Sequence, residues 1–312
     1  MRPAFSVIFL TTLTGVGQGL FIALFATDAG AKLFWMNAAP PVFFVLGSLI
    51  AFLFLGAGLV ASFFHLGRPE RAWRAAAMWR TSWLSREVIV LPLFMLVTLA
   101  YAFMHYTGAE RTLLLGTIGL VLCIALFVCT GMIYACIRFL QEWAHPLTVV
   151  NFTLLGCASG YTFAAALAHV TATGVEDDLT RWALAFTALG FCTRLASLVR
   201  NERIRPKSSL QTAIGVKHPK VVQISQGFMG GSFNTREFFH GKTASVLRAV
   251  KWGFLCCAFA VPMVLLAAGA SWQIGALMIA AFPIQYAGLL AERWYFLAQA
   301  RHPQNLYYQS IS

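Results

Sequence analysis

One histidine and one glutamate, 22 residues apart, bracket a dense cluster of charge between long apolar stretches: HLGRPERAWRAAAMWRTSWLSRE, from His65 to Glu87. An imidazole hydrogen-bonds a carbonyl and passes on a proton near neutral pH, its ordinary pKa being about 6.5. A carboxyl at a lipid boundary tends to stay protonated, which suits proton relay. The two types together fit a site where a lipid-soluble quinone meets protons drawn from water. Arg68, Arg71 and Arg86 could stabilise negative charge developing on the quinone oxygens. A plainer reading competes for each of the five arginines in this connection. They also set topology and touch phospholipid, and for most of them that reading is the better one.

The elements that must position these residues follow from composition. The chain has 312 residues, 59% of them hydrophobic and 11% charged, against roughly 25% charged in an average soluble domain. Its mean hydropathy is +0.72. Several stretches exceed the ~18 apolar residues that mark a spanning helix. The pattern predicts an all-α integral membrane protein of eight spans: 5–26, 40–64, 87–104, 112–137, 146–172, 179–199, 250–270 and 272–291. The last two divide one 40-residue uncharged run at AAGASWQ. The first span is too apolar for too long to be a signal peptide. In this reading His65 ends the second span and Glu87 opens the third, so both lie at one membrane edge.

Charge sets the expected orientation. With eight spans, both termini and the even-numbered loops share a side, and that side carries 20 of the 23 Lys and Arg. The opposite side keeps Lys32, Arg111 and Arg181, and its loop gathers Glu176, Asp177 and Asp178. The positive-inside bias therefore places both termini in the cytoplasm. No internal repeat is visible, so residues 1–312 read as one polytopic membrane domain. Its sizeable hydrophilic segment is 200–248, basic and interrupted by Pro206 and Pro219. Loops of this length are usually functional or disordered. We read it as a docking surface for a peripheral partner, with Arg236, Lys242, Lys217 and Lys220 as contacts; a merely solvated basic loop is the alternative.

Polar groups inside the spans divide in the same way. The stretch TTLTGVGQGL carries small and hydroxyl residues that let helices approach closely in lipid. Gln18 lies near mid-helix and either joins that packing or lines a ligand cavity. Gln285 and Tyr286 pose the same choice in the last span. No acidic or basic residue sits at a predicted span centre, where such groups are kept for function. Arg194 is the deepest, with the cytoplasmic face within reach of a snorkelling side chain. That argues against solute transport. The seven cysteines form no CxxC pair, and no two histidines face each other at equal depth, so neither an iron–sulfur cluster nor haem is expected in this chain. The basic balance is accounted for by topology and calls for no nucleic acid.

The opening RPAFSVIFLTTLTGVGQGL and the motifs HLGRP and SWLSRE resemble the membrane anchor subunit of the dimethyl sulfoxide reductase family, within the wider polysulfide-reductase/NrfD-like group. The similarity runs along the whole chain, and the family shares eight spans. It implies a ubiquinone or menaquinone site. It also implies two partners: a four-cluster iron–sulfur subunit and a molybdopterin catalytic subunit. The family's quinol-site histidine matches His65 and its essential glutamate matches Glu87, with Gly67 and Arg71 at further positions linked to the site. The charge count departs from the enteric type, whose partners are periplasmic. The segment RPKSSLQTAIGVKHPKVVQISQGFMGGSFNTREFFHG instead is similar to the branch that anchors cytoplasmic sulfite dehydrogenase. That branch implies sulfite oxidation on the molybdenum subunit, with electrons passing to quinone in this chain. Reduction of an S- or N-oxide at the expense of quinol is the alternative, and a purely structural anchor or a transporter is the reading from another class.

Overall fold

A computed structural model describes residues 1–222, 224 and 238–306, with the side chain of Gln304 excepted. Among the described residues all regular structure is helical, and eight helices are long and apolar enough to cross a membrane. They are α1 (Phe5–Lys32), α2 (Pro41–Phe63), α3 (Trp83–Thr107), α4 (Thr112–Ala135), α5 (Pro146–Thr171), α6 (Glu176–Glu202), the composite α8–α9, and α10 (Gly275–Ala298). A 3-10 segment, Pro69–Met78, lies between α2 and α3, and the short α7 covers Leu210–Ile214. The seventh span joins α8 (Ala244–Leu255) to α9 (Val261–Trp272) through a π turn at Cys256–Ala260.

Helices α1 and α5 form the centre. Each packs on the other and on α4 and α10, while α2 and α3 flank one side and α6 with α8–α9 the other. The α1–α5 crossing is glycine to glycine. A side chain on Gly160 would run into the backbone of Gly19, and one on Gly19 into the carbonyl of Gly156. Small residues four apart bring the two backbones together, because in lipid only packing and polar contacts favour association. The neighbouring hydroxyls cost nothing here, since each bonds a carbonyl of its own helix: Thr11 to Val7 at 2.9 Å, Thr12 to Ile8 at 2.8 Å and Thr14 to Leu10 at 2.7 Å.

The π turn has a local cause. Pro262 has no N–H to give the carbonyl four residues back, that of Ala258. The amide of Gln285 on α10 reaches that carbonyl at 3.4 Å and bonds the Thr187 hydroxyl at 3.1 Å. Gln285 is therefore a packing tie, and so is Tyr286, whose hydroxyl lies 3.2 Å from that of Thr12.

The N-terminus and the end of α10 meet at one end of the bundle. The Met1 ammonium donates to the carbonyls of Ala298 and Ala300, at 3.1 and 2.9 Å. Several helices outrun the sequence expectation, and the extra turns matter. Helix α1 continues past Ala26 to Lys32 and takes Asp28 into the bundle. Helix α3 starts at Trp83, capped by Ser82, so Glu87 lies in its second turn rather than at its opening. Helix α6 starts at Glu176, which puts three acidic residues on the positive end of its dipole instead of in a loop. Helix α10 passes Ala291 and carries Glu292 and Arg293 as helical, buried residues.

Candidate quinone-reactive site

At the end of the bundle that holds the termini, Glu87 points into the α3–α4 seam and is 7% exposed. The Thr130 hydroxyl, on α4, donates to its Oε1. Its second oxygen has no hydrogen-bond partner among the described residues, nor does any basic side chain lie within ion-pair distance. The sequence supports this arrangement locally. Ser82 accepts from the Ser85 amide and fixes the first turn of α3, while the isolated Thr130 supplies the one donor at the matching height of α4.

The connection between α2 and α3 covers this end as an exposed ribbon. None of the residues in Pro69–Met78 is buried. His65 is exposed just past α2, and neither ring nitrogen makes a hydrogen bond among the described residues. Partial desolvation draws its pKa below the ordinary imidazole value, so the ring is neutral at pH 7. Gly67 and Arg68 are exposed, and a side chain built at Gly67 would touch nothing. Arg71 stands 3.8 Å from its neighbour Glu70, both solvated. Arg86 differs from the others. Its guanidinium turns back to donate to the Trp79 and Arg80 carbonyls at 2.9 and 2.8 Å and stacks on Trp83. It closes the ribbon onto the start of α3 and leaves Glu87 without a cation.

Gln18 and the lysines of the hydrophilic segment sit elsewhere. Gln18 is buried, and its amide donates to the Cys123 carbonyl at 3.1 Å. Cys123 lies seven residues, about 10 Å of helix, from Thr130, so Gln18 ties α1 to α4 deeper in the bundle. Lys217, Lys220 and Lys242 are exposed on the hydrophilic segment, and Arg236 lies outside the described residues. That segment and the chain after α10 enclose a cavity of about 1050 Å³ lined by Phe139, Leu198, Phe238, Tyr295 and His302, among others.

Sequence reasoning missed a second ionic group at this end. Arg194 does not snorkel to the surface. It is 1% exposed, and its Nε lies 2.6 Å from Oε1 of the fully buried Glu292. The approach is off the N–H direction, which makes it an ion pair rather than a directed hydrogen bond. Arg293 adds a second cation 3.4 Å from Glu292 and lies 3.7 Å over the Phe152 ring. The signal was present in AERW, a charged pair beside the apolar run. It reads as the end of a span unless the helix is known to continue.

A carboxyl with one oxygen open, near the end of apolar helices, has the chemistry to hold the carbonyl head of a quinone. Glu87 and Thr130 would hold that head, with His65 at the outer edge. Among the described residues no group of three or more His, Cys, Asp or Glu is placed to hold a metal ion.

Comparison with known proteins agrees with the motifs. The family model described as DMSO reductase anchor subunit (DmsC) matches residues 1–308. A sulfite dehydrogenase subunit from Allochromatium vinosum is 54% identical over 327 aligned positions that take in 100% of both chains. A match of this extent, on an eight-helix bundle with these motifs, shows that the chain belongs to the DMSO reductase anchor subunit family.

Proposed function

We propose that this membrane anchor is the quinone-reactive subunit of a sulfite-oxidising complex. Its partners are an iron–sulfur subunit and a molybdopterin subunit on the cytoplasmic side of a bacterial inner membrane. The observation that carries the proposal is Glu87, buried in the α3–α4 seam with one hydroxyl donor and one free oxygen. Such a carboxyl gains and loses a proton without breaking an ion pair. The relative named as a sulfite dehydrogenase subunit supports the direction and the substrate. The basic balance of the termini end supports the sidedness.

In this reading a bound quinone supplies a two-electron, two-proton acceptor. Glu87 holds a proton at its free oxygen, and Thr130 fixes the carboxyl plane from the other side. His65, neutral at pH 7, stands where the site meets water and passes protons inward. Arg86 braces the start of α3, and Arg68 and Arg71 keep that edge positive. The hydrophilic segment, with Lys217, Lys220, Lys242 and Arg236, docks the iron–sulfur partner over the cavity beside α10.

The test is sulfite-dependent quinone reduction in membranes carrying His65→Ala or Glu87→Gln. Both variants should assemble at wild-type level and lose the activity. Wild-type rates in both would overturn the assignment and leave a purely structural anchor. The family description names a reductase, so the same membranes should be driven with quinol and an S-oxide. Faster turnover in that direction would favour the reductase reading.

A further inference from the structure

Among the described residues only three carboxylates are buried: Asp28, Glu87 and Glu292. The last is shared by two guanidinium groups, Arg194 at 2.6 Å and Arg293 at 3.4 Å. The group therefore holds one positive charge more than it neutralises, in a place where an unmatched charge is costly. The other buried carboxylate at this end of the bundle is Glu87. Counted along the helices at 1.5 Å per residue, Glu87, Thr130, Glu292 and Arg194 all lie roughly 6–12 Å inside the same ends.

Tyr134 stands between the two groups. It is one turn along α4 from Thr130, the donor to Glu87. Its ring stacks on Phe152 with centroids 5.3 Å apart, and the Arg293 guanidinium lies 3.7 Å over that same Phe152. Trp143 and Phe296 close the cage at 5.3 and 5.5 Å from Tyr134. The rings between the two groups add no further charge.

We propose that the surplus positive charge of the Arg194–Glu292–Arg293 group, carried toward α3 through Tyr134, is the counter-charge that lets Glu87 part with its proton. Arg293 and Tyr134 are then positioning residues of the site, acting through Glu87. This inference rests on the quinone reading above. It assigns the buried arginines a role that helix packing alone does not require: Arg194 and Glu292 already suffice to join α6 to α10, and the second arginine is left over.

The other groups facing Glu87 are few. Arg86 shares its helix but is committed to the Trp79 and Arg80 carbonyls. Cys129 precedes Thr130 on α4. The end of α2 and the ribbon carry His65, Arg68, Glu70, Arg71, Arg74 and Arg80, all exposed. None of these is a buried cation.

The test follows the infrared carboxyl band of Glu87, identified by its loss in Glu87→Gln, through a pH titration of the complex in membranes. Tyr134→Phe keeps the aromatic packing and removes only the hydroxyl. Arg293→Gln removes the surplus charge, and Arg293→Lys restores it. In Tyr134→Phe and Arg293→Gln the band should persist to higher pH by about one unit. Turnover should fall about ten-fold, with KM for quinone within about two-fold of wild type. Arg293→Lys should titrate like wild type. An unmoved band in Tyr134→Phe and Arg293→Gln overturns the inference, as does an equal shift in Arg293→Lys and Arg293→Gln, which would indicate packing rather than charge. Should Arg293→Gln fail to assemble, Tyr134→Phe decides alone. If Glu87→Gln itself reduces quinone normally, the underlying reading fails; if it is inactive while the band is unmoved, only this inference falls.

Discussion

The seam between α3 and α4 buries a carboxylate at each end, and the two are held in opposite ways. Asp28, which α1 inserts at the end away from the termini, is saturated. Tyr101 on α3 and Thr112 on α4 donate to its Oδ2 at 3.1 and 2.6 Å, Lys32 pairs with Oδ1 at 3.3 Å, and His105 lies 3.7 Å away, stacked on Phe44. Among the described residues Glu87 has the Thr130 hydroxyl alone. A carboxylate that receives two hydroxyl donors and a cation ties helices together. One that receives a single donor can change its protonation without disturbing its neighbours. The same two helices thus build a clamp at one end and a candidate proton-handling group at the other, and the number of partners makes the difference.

The sharpest way to break that comparison is to remove each carboxylate and measure both stability and activity. Asp28→Ala strands the Tyr101, Thr112 and Lys32 donors and should lower stability by about 2–4 kcal/mol. That would show as a lower thermal midpoint of the assembled complex, with quinone reduction per assembled complex unchanged. Glu87→Gln should cost less than about 1 kcal/mol, because an amide oxygen still accepts from Thr130, yet it should abolish quinone reduction. Activity loss in Asp28→Ala matching that of Glu87→Gln would erase the distinction.

Smaller effects sharpen it. Thr130→Val removes the sole donor to Glu87 and should slow quinone reduction several-fold at a cost near ~1 kcal/mol, read from turnover and thermal midpoint together. Lys32→Met removes a partner that is half in solvent. It should change stability by no more than about 1 kcal/mol, since Tyr101 and Thr112 remain on Asp28. A loss larger than that of Asp28→Ala would show that the lysine, not the hydroxyls, holds the clamp.

The helices themselves were legible in the sequence. Long uncharged runs leave the backbone no partner but itself in lipid, so eight helices follow from hydropathy alone. The glycines of α1 announced a close crossing, and the crossing with α5 is there. Boundaries were less legible, because an acidic or basic residue ends an apolar run whether or not the helix stops. Hence Asp28, Glu292 and Arg293 read as lying beyond the spans, although each belongs to the buried interior of one.

Composition and spacing alone gave a charged ribbon with His65 at one edge and Glu87 at the other, between spans that bring both to one edge of the bundle. Which charges meet depended on helix packing. Glu87 has no cation while Arg86 beside it is turned to backbone carbonyls, and Arg194, 98 residues before Glu292, finds it across α6 and α10. The reason is physical. Burial forces every charge in the bundle to find a partner or go without one, and helices far apart in the chain supply those partners by their packing. No local pattern of residues records that.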